Sequence, residues 1–160
     1  MWRVRIWLPR AGATTAALGL ILVTLGTFLP WSRSGSVFRD SYQSLGVMRE
    51  LGFVDAFPAL GVFLDVWIGM IPVVAITIAV YALGFHRSAA VVACIVAIIM
   101  GTIGGAIVVQ GVDKDGLIGL AGTGPTVTAA GACAALAGAV TVLVTRRKST
   151  KRETEVGGAS

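Results

Sequence analysis

Charge is scarce in this sequence. Only 13% of its 160 residues are Asp, Glu, Lys or Arg, against roughly 25% in an ordinary soluble domain. A surface that poor in charge cannot face water over its whole area, so a soluble globular fold is excluded. Cysteine is nearly absent. Cys94 and Cys133 both fall inside apolar runs, with no Cys-x-x-Cys pair, so there is no redox or zinc motif. They read as small, polarisable packing residues.

The groups that chemistry would need are also missing. His86 stands alone between Phe85 and Arg87, and reads as a headgroup-level turn residue, not a ligand or base. Ser32, Ser34 and Ser36 have no histidine on their side of the membrane, so no hydrolase triad can be assembled. Asp113-Lys114-Asp115-Gly116 opens like a calcium loop, but no acid follows until Glu153, and the bidentate glutamate is lacking. Gly122-Thr123-Gly124-Pro125 is glycine-rich without a following lysine; a turn before a helix explains it better than a P-loop. No catalytic residue, metal or cofactor is expected.

Apolar length is what the chain has. Hydrophobic residues make up 56% of it, and they gather into runs near the 20 residues a helix needs to cross a bilayer. Four crossings are expected, at residues 11–29, 66–85, 89–110 and 126–145. The first is too long for a signal-peptide core, and no small-x-small cleavage site follows it. Pro72 removes a backbone donor within the second. Pro125 suits the start of the fourth.

Basic residues flank these runs. Arg3, Arg5, Arg10, Arg87, Arg146, Arg147, Lys148, Lys151 and Arg152 fall on one side of the expected topology, and Arg33, Arg39, Arg49 and Lys114 on the other. The positive-inside rule then places both termini in the cytoplasm. The same distribution accounts for the net charge of +5 through membrane topology, without nucleic acid as a partner. Trp2, Trp7, Trp31 and Trp67 sit where interface anchors are expected. Residues 146–160 read as a basic, disordered tail that touches anionic lipid.

The outer loop covers residues 30–65, and its polar stretch, residues 32–56, is neutral overall, with Arg33, Arg39 and Arg49 against Asp40, Glu50 and Asp55. Within it Leu45, Met48, Leu51 and Val54 recur every three residues. That spacing predicts a short amphipathic helix over Tyr42 to Val54, capped by Ser41, with an irregular loop as the alternative. Asp65 is the one acid near membrane depth. Such a residue is a functional candidate by default, for a proton- or cation-coupled site. The plainer reading is an interfacial ion pair with Arg33, Arg39, Arg49 or Lys114.

Small residues form strips on the expected helices. Gly12, Gly19 and Gly26 are seven apart, as are Gly124, Gly131 and Gly138; Ala97, Gly101 and Gly105 are four apart. Such strips let helices in lipid approach closely. They are expected to face other helices.

Leu29-Pro30-Trp31, Ser34-Gly35, Arg39, Ser41-Tyr42 and Leu51-Gly52 together resemble small uncharacterised four-span membrane proteins of actinobacteria. In that group a Pro-Trp step ends the first span and a Gly-Pro step opens the last. The resemblance implies the topology and this loop, and carries no activity with it. A claudin-like protein shares a large first outer loop, but its paired cysteines are absent here.

The expected fold is thus an all-α bundle of four transmembrane helices in the plasma membrane. The expected function is a non-enzymatic accessory or scaffold subunit of an envelope or transport assembly, with other membrane proteins or further copies of itself as partners. The alternative is a small transporter or channel using Asp65, with Thr77, Thr102 and Gln110 as thin polar lining. A lipid-modifying enzyme stands third, with only Asp65, Asp113 or Asp115 to draw on.

Overall fold

The first apolar run folds as one helix, α1 (Trp2–Phe28). Two short strands follow, β1 (Ser32–Ser34) and β2 (Val37–Arg39), then α2 (Ser41–Glu50). Three long helices complete the chain: α3 (Pro58–Ala82), α4 (His86–Gln110) and, after the short strand β3 (Ile118–Leu120), α5 (Thr123–Gly157). The structure, a computed structural model, describes residues 2–34, 36–50, 52, 58–110, 118–120 and 122–157.

Four helices are long and apolar enough to cross a membrane, over Pro9–Phe28, Leu64–Ala82, His86–Val109 and Thr123–Thr145. Their outward surfaces are apolar as well: Leu18, Ile76, Ile98 and Val140 are all exposed. Water does not tolerate so much continuous apolar surface; lipid does. The chain is a multi-pass membrane protein built as a helical bundle. The helices run up and down in chain order, which gives the bundle two ends. The strands and α2 sit at one, the cap end. The tight turn between α3 and α4, the start of α1 and the end of α5 lie at the other, the turn end.

Helix boundaries shift from the sequence expectation for identifiable reasons. The second helix stops at Ala82 instead of Phe85. Gly84 adopts φ +88°, Gly84 N–H donates to Tyr81 C=O at 3.1 Å and Phe85 N–H reaches Val80 C=O at 3.1 Å. This is a Schellman C-cap, and it needs glycine at that position. The third and fourth long helices each begin three residues early, at His86 and Thr123. The tail expected to be disordered is instead helical as far as Gly157. Lys, Arg and Glu are good helix formers, and residues 139–156 contain neither glycine nor proline to stop a helix already under way.

α1 and α5 form the broadest helix contact, α4 packs on α5, and α3 touches the others less. The α1–α5 contact is antiparallel and lined by small residues. A Cβ on Gly19 would lie 2.7 Å from Gly131 O, and one on Gly138 would lie 2.6 Å from Gly12 O. Backbone therefore meets backbone, between Ala16, Ala135 and Ala139, which are fully buried. Gly101 likewise faces Ala132. Only the last position of the third strip is off by one residue. A Cβ on Gly105 would meet nothing within 4 Å, whereas one on Gly104 would lie 3.0 Å from Pro125 O.

The cap contains a three-stranded antiparallel sheet that the sequence pattern does not announce. Its order is β2-β1-β3, with Arg33 opposite Phe38 on one side and Gly119 on the other. It stitches the loop after α1 to the loop before α5.

Candidate functional site

The cap end is where the chain's unusual residues converge. Pro30 ends the α1 exit, and its carbonyl accepts the N–H of Gly124 at 3.0 Å. That N–H is one of the donors left without a partner at the start of α5. The Leu-Pro-Trp and Gly-Pro steps, over ninety residues apart in sequence, are thus in direct contact.

Trp31 closes the joint. Its backbone N–H donates to Arg39 C=O at 2.9 Å, and its indole Nε1 donates to Gly26 C=O at 2.8 Å. The ring lies on Gly124 so closely that a Cβ there would fall 2.5 Å from Nε1. Trp67, from α3, meets Trp31 edge-on with ring centroids 5.3 Å apart and planes at 85°. The two indoles are only 7% and 4% exposed. The expectation of interface anchors therefore fails for Trp31 and Trp67: they are core residues of the cap. Their polar edges find protein partners, which is what a buried indole requires. The side chains of Trp2 and Trp7 lie outside the described residues.

A chain of hydroxyls continues from Trp67. Trp67 Nε1 donates to Ser41 Oγ at 3.3 Å, Ser41 Oγ to Thr27 C=O at 2.7 Å, and Thr27 Oγ1 to Thr24 C=O at 2.7 Å. Tyr42 OH reaches Thr27 Oγ1 at 3.4 Å. Gly26 and Thr27 belong to the last turn of α1, whose carbonyls lack the regular i+4 helical partner; Gly26 C=O has a 3.3 Å bond from Leu29 N–H. The loop supplies those partners from side chains. In a bilayer each unpaired group would cost several kcal/mol.

Ser41 consequently does not cap α2. Asp40 does, with its Oδ1 accepting Gln43 N–H at 2.8 Å. The last turn expected for this helix, residues 51–54, falls largely outside the described residues. Ser44 Oγ contacts Ser32 Oγ at 2.8 Å and ties α2 to β1.

Asp65 sits at the cap end of α3. Its Oδ1 lies 3.2 Å from Arg49 Nη2, with the two side chains 70% and 55% exposed. Arg49, and not Arg33 or Arg39, is its partner among the described residues. Asp113, Lys114 and Asp115 lie outside the described residues.

Thr77, buried in the bundle, and the exposed Thr102 turn their hydroxyls onto their own helices, whereas the buried hydroxyls of Tyr81 and Thr128 have no hydrogen-bond partner among the described residues. Thr77 Oγ1 donates to Val73 C=O and Thr102 Oγ1 to Ile98 C=O, each at 2.7 Å. Among the described residues no three His, Cys, Asp or Glu side chains converge as a metal site. No family model, curated protein or solved structure matches the chain.

Thr27, Ser41, Ser44 and Gly104 carry the cap and its packing, and the sequence pattern had not marked them for these roles. One signal for them was available. Small hydroxyl residues at the end of an apolar helix, beside a Pro-Trp step, suit the capping of orphan carbonyls.

Proposed function

We propose that the protein is a non-enzymatic accessory or scaffold subunit of the plasma membrane, with both termini cytoplasmic and the cap outside. One observation carries this reading. The α1–α5 seam is closed by backbone-to-backbone contact along Gly12, Gly19, Gly131 and Gly138, and Thr24 and Thr77 donate to their own helices. A transport path needs polar groups facing a shared lumen. Thr24 and Thr77 are occupied locally, the hydroxyls of Tyr81 and Thr128 are enclosed singly and without partners, and Asp65 is held at the exposed rim by Arg49. What the fold presents instead is a cross-linked cap on a slender, apolar-sided bundle, which suits lateral assembly with other membrane proteins or with further copies of itself.

The test is cross-linking in native membranes, extraction in mild detergent and identification of copurifying proteins by mass spectrometry. A stoichiometric membrane partner or a defined homo-oligomer is the expected result. A monodisperse monomer with no partner would overturn the reading. Cation flux in proteoliposomes, abolished by Asp65→Asn, would establish the transporter in its place.

A further inference from the structure

The cap sheet has one face turned to the protein and one turned away from it. Pairing in the ladder sets which residues share a face. Ser32 stands opposite Arg39, and Arg33 opposite Phe38; residues paired in this way lie on the same side of the sheet. Ser32 Oγ meets Ser44 Oγ of α2, so the face of Ser32 and Arg39 turns toward α2. Side chains alternate along a strand. Arg33 and Phe38 therefore stand together on the opposite face, with Cβ atoms about 5 Å apart. Both are exposed there, Phe38 to 58%. On the other side of β1 the same row ends at Gly119, which has no side chain to cover the guanidinium.

Hydrogen bonds fix the depth of this row. Arg39, next to Phe38, accepts the Trp31 N–H at its carbonyl at 2.9 Å. Trp31 Nε1 in turn bonds Gly26, within the last turn of the first crossing. Phe38 Cα lies about 3.8 Å beyond that of Arg39. Arg33 is three residues from Pro30, whose carbonyl meets Gly124 in the first turn of the last crossing; three residues span at most about 11 Å. The headgroup layer is about 5–8 Å deep on each side of the hydrocarbon. Both side chains are thus within reach of it.

Their chemistry suits that layer. Trp31 and Trp67 are turned into the core, and the exposed aromatic residues at this end, among those described, are Phe28 and Phe38. Neither Arg33 nor Arg39 has a carboxylate within ion-pair distance among the described residues. Asp40 caps α2 and Asp65 holds Arg49. An uncompensated guanidinium beside an exposed phenyl ring matches a phosphodiester above acyl chains. The arginine fork takes phosphate oxygens two at a time, and the ring takes the boundary between headgroup and acyl chain.

We propose that the Arg33–Phe38 face of the cap sheet docks on the surrounding leaflet, with Arg33 on the phosphate of an anionic glycerophospholipid and Phe38 in the headgroup layer. The sheet then does at this end what Trp31 and Trp67, being buried, do not. The proposal depends neither on the accessory-subunit reading nor on which side of the membrane the cap occupies.

The experiment places a nitroxide at position 38, by Phe38→Cys in a C94A/C133A background, and reconstitutes the full chain in phosphatidylcholine vesicles with or without phosphatidylglycerol. Collision with oxygen and with a water-soluble nickel chelate reads the depth of the label. With phosphatidylglycerol present, nickel access at 38 is expected to be several-fold lower than for a label at Val37→Cys on the other face. R33Q is expected to raise it toward the aqueous value, and R39Q, which removes the same charge from the α2 face, to leave it unchanged. An aqueous label at 38, equal depth at 37 and 38, or equal effects of R33Q and R39Q would overturn the proposal. Dipolar broadening between labels at 38 would overturn it too, because a second copy would then cover the face. Native mass spectrometry of the unlabelled protein carries the test should the labelled variant fail to fold. There R33Q is expected to lower retention of phosphatidylglycerol relative to phosphatidylcholine about fivefold, and R39Q less than about twofold; equal losses, or no preference in wild type, would again overturn it.

Discussion

The carbonyl of Pro30 and the N–H of Gly124 are joined across 3.0 Å, so the end of the first membrane helix holds the beginning of the last. Trp31 covers this bond and leaves room for glycine only. Gly124→Ala is expected to lower the melting temperature in detergent clearly, because the added methyl meets both Pro30 O and the indole. Gly105→Ala, in open space, is expected to leave it unchanged or slightly raised. Similar melting temperatures for the two variants would contradict this account of the joint.

Removing the Trp31 donor tests the cap separately. Trp31→Phe keeps a ring but leaves Gly26 C=O with only the longer bond from Leu29 N–H at 3.3 Å, and is expected to cost about 0.5–1.5 kcal/mol. Trp67→Phe leaves Ser41 Oγ still bonded to Thr27 and should cost less. Chemical denaturation of the two variants and of the double variant gives the coupling, expected near 0.5–1.5 kcal/mol for an edge-on aromatic pair.

The seam predicts a steep penalty for bulk. Gly19→Leu and Gly131→Leu each force a side chain into backbone, so α1 and α5 must separate. Loss of the native elution peak in mild detergent is the expected result. If both variants elute as wild type, the glycine ladder is not what joins these helices.

Thr128 gives the opposite case. Its hydroxyl is fully buried against Gly26 with no hydrogen-bond partner. Thr128→Val keeps the shape and removes an unpaired polar atom, so stability is expected to hold or rise. Gly26→Ala pushes a methyl to 2.8 Å from the Thr128 backbone nitrogen and is expected to destabilise. Paired thermal melts of the two variants check both signs.

The Arg49–Asp65 pair is exposed on both sides. Asp65→Asn is expected to change stability by no more than about 1 kcal/mol, and less in high salt. A large, salt-independent loss would mean that Asp65 does something its contacts do not reveal.

The four crossings were legible because apolar length is a property of each segment alone. The glycine ladders were legible for the same reason, since spacing of seven keeps one face of one helix. What the sequence concealed were relations between segments. The register of β1 against β3 depends on where α5 places its first turn, and three-residue strands leave no alternation to read. Trp31 and Trp67 looked like headgroup anchors because each sits at a span end; only the contact between those ends turns them inward. Ser41 looked like a cap because serine often is one, while Asp40 beside it was equally suited. Gly104 and Gly105 differ by a rotation of about 100°, beyond what a pattern of adjacent glycines can resolve.

The pairing of the first membrane helix with the last has a consequence for biogenesis. The ribosome delivers Gly19 roughly a hundred residues before Gly131 exists, and at ordinary synthesis rates that is an interval of seconds. Throughout it the bare glycine strip of α1 waits in the bilayer beside whatever helix diffuses past. A nascent chain of this design gains from a membrane insertase that shelters α1 until its mate emerges. Truncation before α5 should leave an orphan that quality-control proteases remove.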